Sequence, residues 1–271
     1  MTTLPPELVQ SIRDRRIILF AGAGLSMYLG LPSWNGLMRI LANDLGFDED
    51  LFVAFGDYLS VAEYYKQTVG DLGDLRSRLD RAWHSNPEIV TTSRVHNAIL
   101  SMAFPIIYTT NFDRLIEFAY KLSRRPYSKV VTVRHMVAAD PTTTQIIKFH
   151  GDFDSDDSLV FTESDYFERL QFESPLDIRL RSDLLGRSVL FIGYSLTDIN
   201  VRLMLYRLTK MWSLDPKATS RPPSYIFLAR PSVVEEHVLR ARGITVLSSD
   251  EDDPQNALAQ FLEELSALVA S

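Results

Sequence analysis

Four short apolar segments of this sequence each end in small or polar residues, and this pattern constrains the fold more than any other feature. The endings are AGAGLS at 21–26, TTNFD at 109–113, FHGD at 149–152 and GYSLTD at 193–198. Helical patterns lie between them, and strands alternating with helices are typical of a doubly wound, mostly parallel α/β sheet. Because ligands bind at the carboxyl ends of the strands in such sheets, we expect the four endings to form one composite site.

The clearest strand–turn–helix pattern covers residues 15–44. The apolar run 17–20 ends in a glycine turn, and an apolar-periodic helix follows over 34–44. Glycines let the backbone approach a ligand closely, and free N–H groups at such a turn can bind phosphate. The turn lacks the GK[ST] ending of a P-loop and the third glycine of GxGxxG. On its own it is equally typical of a tight connection.

The remaining periodicity predicts the rest of the sheet. Further strands are predicted at 105–108, 127–133, 145–149, 188–192, 225–229 and 244–247. Residues 45–101 have helical apolar spacing without a strand-like run, which predicts a helical insertion beside the sheet. We expect one domain over residues 1–271 with this insertion inside it.

Composition excludes several kinds of function. The chain has no cysteine, so disulfides, a Cys-ligated zinc and a thiol nucleophile are impossible. The net charge of −7 argues against a phosphate backbone as the main ligand, and no direct nucleic-acid binding is expected. The N-terminus lacks the apolar region of a signal peptide, and no apolar run approaches the ~20 residues of a membrane span. A cytoplasmic protein without membrane contact is the expectation.

Two of the endings contain residues for which a local structural role competes with chemistry. Thr110 and Asp113 fit a helix-capping box, which does not account for Asn111 between them. The Asn111 amide is suited to holding a ribose hydroxyl or a water molecule. His150 follows an apolar run and precedes Gly151, a position suited to acid–base chemistry near neutral pH. A lone histidine is nevertheless more often structural.

Two other local patterns have simple explanations. Asp152, Asp154, Asp156 and Glu163 have the spacing of EF-hand ligands, but the required glycine is absent. A solvated acidic turn is preferred, and no metal is expected. The ending at 193–198 fits a capping box through its serine and last aspartate, and it does not match the GxSxG elbow of hydrolases. This argues against a Ser–His–Asp triad.

Taken in order, GAGLS, TTNFD, FHGD and GYSLTD resemble the motifs of the sirtuin-type NAD-binding domain. More narrowly, the chain resembles the bacterial sirtuin-like NAD hydrolases of anti-phage defence over about residues 16–207. The resemblance implies a Rossmann-like sheet with a helical insertion in place of the sirtuin zinc module. It implies NAD⁺ as a substrate, with no true cofactor, and cleavage of the nicotinamide–ribose bond to give nicotinamide and ADP-ribose.

The resemblance also implies roles for individual residues. Asn111 would order the nicotinamide ribose and a water, and His150 would be the catalytic histidine. The glycine turn would hold the pyrophosphate, and the segment 193–198 would contact the adenosine half. The implied NAD-contacting residues are Ala21, Gly22, Ala23, Gly24, Ser26, Trp34, Thr110, Asn111, Asp113, His150, Gly193, Tyr194, Ser195 and Asp198.

Departures from the sirtuin pattern bear on the reaction. Deacetylating sirtuins resemble GAGxSxxxGIPDFRG, whereas this chain has GLPSWNG at 30–36, and it cannot build a Cys₄ zinc module. Both departures argue against protein deacylation and favour water as the acceptor. A non-catalytic sensor of NAD or ADP-ribose is the alternative hypothesis, with a protein deacylase less favoured.

Regulation is expected to involve other chains. An unregulated NAD hydrolase would kill its host, as in abortive infection. We therefore expect a homo-oligomer or a separately encoded partner, and the resemblance implies a hexameric translocase-like ATPase as that partner.

Overall fold

A seven-stranded parallel sheet forms the centre of the molecule. The computed structural model describes residues 4–48, 54, 57–155, 158–171, 173–194, 198–213 and 221–271. In chain order the strands are β1 (Ile17–Ala21), β2 (Ile106–Thr109), β3 (Tyr127–Val130), β4 (Thr144–Lys148), β5 (Ser188–Ile192), β6 (Ser224–Phe227) and β7 (Ile244–Leu247). Their spatial order is β3-β4-β2-β1-β5-β6-β7, and every pair is parallel. The predicted α/β class is confirmed.

Helices connect the strands and cover the sheet. They are α1 (Pro6–Arg13), α2 (Ala23–Met27), α3 (Trp34–Asp44), α4 (Tyr58–Val69), α5 (Gly73–Trp83), α6 (Arg94–Met102), α7 (Leu115–Leu122), α8 (Val133–Ala138), α9 (Glu163–Arg169), α10 (Pro175–Gly186), α11 (Ile199–Ser213), α12 (Val233–Ala241) and α13 (Pro254–Ala270). A 3₁₀ turn, Pro87–Thr92, precedes α6. Within the described ranges, no helix combines the length and apolar character that crossing a bilayer requires.

β1 lies in the middle of the sheet, and its composition explains why. All five of its side chains are fully buried, as expected for a strand covered on both faces. Ile17 and Leu19 pack with α1, α6, α7 and α13 on one face. Ile18 and Phe20 pack with α10, α11 and α12 on the other. Each fully buried side chain of this size contributes about 1.5–3 kcal/mol to stability.

The order of the strands creates a topological switch point at β1. β1 is hydrogen-bonded to β2 on one side and to β5 on the other. The chain leaves β1 for one half of the sheet and later begins the other half at β5. Ligands bind in the crevice beyond the carboxyl ends of the strands at such a switch point. The four sequence endings follow β1, β2, β4 and β5, so their described residues lie at the carboxyl edge of the sheet.

Every secondary-structure element described within the predicted insertion is helical. Between residues 57 and 101 the described elements are α4, α5, the 3₁₀ turn and most of α6. α3, α4 and α5 enclose an apolar cluster of their own. Phe112, Phe153 and Phe161 enter this cluster from the loops at the ends of the sheet, so the insertion packs directly beside the site.

Two local predictions are wrong. The predicted strand 127–133 ends at Val130, where pairing with β4 stops, and α8 begins at Val133. The capping box of Thr110 and Asp113 does not form, because α7 begins only at Leu115. The Asp113 carboxylate instead accepts the Leu115 N–H at 3.0 Å.

Candidate active site

The ends of β1 and β5 meet through Gly22, Gly24 and Gly193, which we call the glycine junction. The Gly22 N–H donates to the Ile192 carbonyl at 2.9 Å, and the Gly24 N–H donates to the Gly193 carbonyl at 2.8 Å. A Cβ on Gly24 would lie 2.7 Å from the Gly193 Cα. Gly193 has φ of +57°, and a Cβ there would lie 2.6 Å from the Leu25 nitrogen. The approach of two backbones therefore requires these glycines.

This packing changes the meaning of the glycine turn. The N–H groups of Gly22 and Gly24 have protein acceptors, and the Leu25 N–H donates to the Gly22 carbonyl at 3.1 Å. The glycine pattern that suggested a phosphate site thus has a structural cause. The turn still lies at the switch point of the sheet, and its contact with pyrophosphate stays a prediction.

Asn111 is fixed against the glycine turn. Its Nδ2 donates to the Gly22 carbonyl at 3.0 Å and to Ser26 Oγ at 2.9 Å. Ser26 Oγ in turn donates to Asp113 Oδ2 at 2.6 Å. These bonds hold the Asn111 amide in one orientation and join the end of β1 to the end of β2.

His150 is buried behind the crevice. Its Nε2 lies 3.1 Å from Asp198 Oδ2, and its Nδ1 lies 3.3 Å from the Tyr166 hydroxyl. The residue is 2% exposed. Burial lowers the pKa of His150 to about 4, although the Asp198 carboxylate acts in the opposite direction. The imidazole is therefore neutral at neutral pH, the state that a general base requires.

The contact between Asp198 and His150 was not anticipated from the sequence. Asp198 Oδ1 accepts the N–H groups of Asn200 at 2.8 Å and Val201 at 3.1 Å, so this carboxylate caps α11. Its other oxygen faces His150. A capping pattern in the sequence predicts that Asp198 caps a helix. No local pattern predicts its contact with His150, which is 48 residues away in the chain. Ser195 lies outside the described residues, so its predicted cap and ligand contact are not described here.

Two of the predicted ligand-contacting residues are aromatic and pack against other rings. The Tyr194 ring lies 5.3 Å from that of Phe20, and Tyr194 is 8% exposed. Trp34 is partly exposed and lies 5.6 Å from Phe161 and 6.4 Å from Phe112.

Burial separates the predicted ligand-contacting residues into two groups. The partly exposed ones are Ala23, Gly24, Trp34, Thr110, Asn111, Gly193 and Asp198. The buried ones are Ala21, Gly22, Ser26, Asp113, His150 and Tyr194. Residues of the first group have surface that a ligand could reach in this structure, whereas those of the second group do not.

The acidic loop after β4 differs from the solvated turn that was predicted. Asp152 is fully buried, and Asp154 forms ion pairs with Lys129 and Arg114, each at 2.7 Å. Asp156 lies outside the described residues. In the part of the chain that the structure describes, no group of three or more His, Cys, Asp or Glu side chains could hold a metal ion.

The parallel sheet, with its switch in strand order at β1, defines a doubly wound, Rossmann-like α/β domain. Within that class, residues 105–247 match the family described as SIR2-like domain. The match covers more than half of the chain. The chain therefore belongs to the SIR2-like family, and the predicted relationship to sirtuins is confirmed.

Several characterised proteins are similar to this chain. It is 31% identical over 200 residues to the NAD(+) hydrolase ThsA of Enterococcus faecium, covering 72% of this chain and 40% of that protein. It is 26% identical over 213 residues to the NAD(+) hydrolase ThsA of Bacillus cereus (strain MSX-D12), covering 78% and 44%. Defense-associated sirtuin 2 of Bacillus subtilis is 25% identical over 273 residues, covering 97% and 26%. The chain thus spans less than half the length of each relative.

Proposed function

We propose that this chain hydrolyses NAD⁺ to nicotinamide and ADP-ribose, and that it depletes NAD⁺ in anti-phage defence. One observation carries the proposal: an oriented Asn111 and a neutral His150 both follow strands that end at the same crevice of the sheet. Membership of the SIR2-like family and similarity to proteins named NAD(+) hydrolase support it.

The chemistry fits these two side chains. The bond between C1′ of the ribose and the nicotinamide nitrogen breaks through an oxocarbenium-like state, as in glycoside cleavage. The bonding electron pair goes to the nicotinamide, which leaves as a neutral molecule and needs no general acid. The oxygen of a water molecule then bonds to C1′, and the water gives up one proton.

We assign the positioning of water and ribose to Asn111. Because its Nδ2 is held by Gly22 and Ser26, its Oδ1 is the atom that would accept from a ribose hydroxyl or the water. We assign proton acceptance to His150, either from water directly or by polarising a ribose hydroxyl. The Asp198 carboxylate, 3.1 Å away, would stabilise the imidazolium that forms.

Substrate access to His150 requires a local opening. Both ring nitrogens face protein oxygen atoms, and the residue is only 2% exposed. We propose that NAD⁺ binding separates Tyr166 from the ring, so that Nδ1 becomes accessible while Asp198 stays beside Nε2. The pyrophosphate would then lie along the turn 22–26, with the adenosine half toward the segment 193–198.

Chromatography of nicotinamide released from NAD⁺ tests the proposal. We expect release by the wild type and a loss of about 10²-fold or more in the Asn111→Ala variant. Asn43→Ala, at an exposed position of α3, should behave as the wild type. Tight NAD⁺ binding without nicotinamide release would overturn hydrolysis and favour a sensor. Release only in the presence of an acylated peptide would favour a deacylase.

We further propose that activity is controlled by assembly, through a homo-oligomer or a separately encoded hexameric translocase-like ATPase. The proposal rests on the toxicity of uncontrolled NAD⁺ loss. Light scattering that shows a monomer both alone and when mixed with such a partner would contradict it.

A further inference from the structure

Lys148 occupies an unusual position at the end of β4. It is fully buried, and it pairs in register with Thr109, the last residue of β2. Removing an ammonium group from water is unfavourable unless charged or polar partners compensate. A lysine here, two residues before His150, therefore requires an explanation that the proposed chemistry does not supply.

Three groups surround the Lys148 ammonium. It donates to the Asp113 carbonyl, lies 3.3 Å from Glu117 Oε1 and lies 3.7 Å from Asp152 Oδ2. Glu117 is 4% exposed, and Asp152 is fully buried. We call Lys148, Glu117, Asp152 and the Asp113 carbonyl the lysine junction.

The partners of Lys148 come from both loops that carry the proposed chemistry. Asp113 lies two residues after Asn111, and Asp152 lies two residues after His150. One ammonium group thus contacts both loops, in each case two residues beyond the side chain with the proposed chemical role. The Asp152 end is further fixed, because its Oδ1 accepts the Asp154 N–H at 2.8 Å.

The chemical nature of the side chain matters for this arrangement. An apolar side chain could fill the same volume, but it could not donate to the Asp113 carbonyl or attract the two buried carboxylates of Glu117 and Asp152. Burial raises the pKa of Glu117, and the Lys148 charge opposes that effect. A second cation, Lys129, lies 3.4 Å from Asp152, but its described ion-pair partners do not include the Asn111 loop.

We propose that Lys148 is a positioning residue: its ammonium group fixes the Asn111 loop relative to the His150 loop, and it thereby controls turnover rather than NAD⁺ binding. This inference rests on the proposed hydrolysis. A displacement of about 1 Å in a reacting group can lower a rate by about 10²-fold. The expected signature is a loss in kcat with little change in KM.

A paired substitution separates positioning from stability. Lys148→Met alone would leave the buried Glu117 carboxyl without its cation, so the variant of choice is Lys148→Met combined with Glu117→Leu. Replacing a buried ion pair by apolar side chains of similar volume is often neutral for stability. We expect a urea midpoint near that of the wild type, NAD⁺ binding within about 3-fold and kcat lowered by about 10–100-fold.

Two further variants serve as comparisons. Lys129→Met removes a cation from the same cluster without touching the Asp113 carbonyl, and its kcat should stay within about 3-fold of the wild type. Lys148→Gln with Glu117→Gln keeps an N–H donor for that carbonyl and should recover part of the lost kcat. It also serves if the Met/Leu variant fails to fold. An unchanged kcat in the folded Met/Leu variant would overturn the proposal. A Gln/Gln variant whose kcat falls only as far as its loss of folded protein explains would also overturn it.

Amide hydrogen exchange tests the tie without reference to activity. In the folded double variant, exchange should accelerate by about 10-fold or more in both segments 110–114 and 149–154. Acceleration confined to one segment, or none, would overturn the role of Lys148. If the wild type releases no nicotinamide while both segments still loosen together, the proposed hydrolysis fails and the tie between the loops stands.

Discussion

The glycine junction joins β1 to β5 through backbone contacts, whereas the lysine junction joins the loops after β2 and β4 through buried charges. In the first, the absence of side chains lets Gly24 and Gly193 touch. In the second, one long side chain spans the gap between Asp113 and Asp152. The glycine junction lies where β1 meets β5 and the lysine junction where β2 meets β4, and Ser26, Asn111 and Asp113 connect them.

The two junctions show that a motif typical of ligand binding can have a structural cause, and that residues beside a site can lack any motif. The glycines look like a ligand motif, yet their packing alone accounts for them. Lys148 and Asp152 look like ordinary strand-end and turn residues, yet both are fully buried charges. A close backbone approach and a buried ion pair are both long-range properties, so neither is visible in a local window of sequence.

The largest expected effect comes from removing His150, the proposed base, which lies two residues after Lys148 of the lysine junction. His150→Ala should lower nicotinamide release by about 10²–10⁴-fold, since a general base typically contributes that much. NAD⁺ affinity measured by calorimetry should change little. His237→Ala, at an exposed position of α12, is the matched control. Full turnover in His150→Ala would remove this residue from the mechanism.

The next effect breaks the glycine junction itself. Gly193→Ala should destabilise the fold by about 2–5 kcal/mol, because it combines a left-handed φ with a clash against the Leu25 backbone. The urea midpoint measures this. Gly186→Ala is the control, since a Cβ there has no neighbour within 4 Å. Equal midpoints for the two variants would mean that the two turns do not pack as described.

A smaller effect is expected at the connection between the junctions. Ser26→Ala removes one acceptor of Asn111 and one donor to the buried Asp113. We expect about 1–3 kcal/mol of destabilisation, with a lower kcat from the freed Asn111 amide. Ser85→Ala, at an exposed position, should change stability by less than about 0.5 kcal/mol. A Ser26→Ala variant with the stability and kcat of the wild type would show that the connection is dispensable.

The smallest expected effect is a shift of the acid limb of kcat/KM to lower pH. His150 must be neutral to accept a proton, and burial lowers its pKa from 6.5 to about 4. The acid limb of kcat/KM should therefore fall near pH 4, and an acid limb near pH 6.5 would contradict a buried base. Since the pKa is lower in the folded state, the contribution of His150 to stability should decline as the pH falls from about 6.5 toward 4.

Apolar runs predicted most of the sheet because a doubly covered strand must be apolar on both faces. The limits of β5 and β7 agree with the predicted 188–192 and 244–247. Helices α10 and α12 were not predicted, although the side chains of Ser174 and Ser232 accept the capping N–H bonds that begin them. Those serine signals were present in the sequence and could have found both helices.

The site was predictable to the extent that it depends on strand ends. Asn111 and His150 could be selected because each follows an apolar run at the carboxyl edge of the sheet. The residues that contact His150 and hold the Asn111 loop could not be identified from the sequence. Asp198 reaches His150, and Lys148 reaches Asp113, only after the sheet has assembled.

The most direct test of the central claim is the position of ADP-ribose in a crystal structure of its complex with the wild-type chain. The account predicts that the terminal ribose lies within hydrogen-bonding distance, about 2.6–3.2 Å, of both Asn111 and His150, with the pyrophosphate along the turn 22–26. ADP-ribose bound away from this crevice, or a terminal ribose in contact with neither side chain, would contradict it.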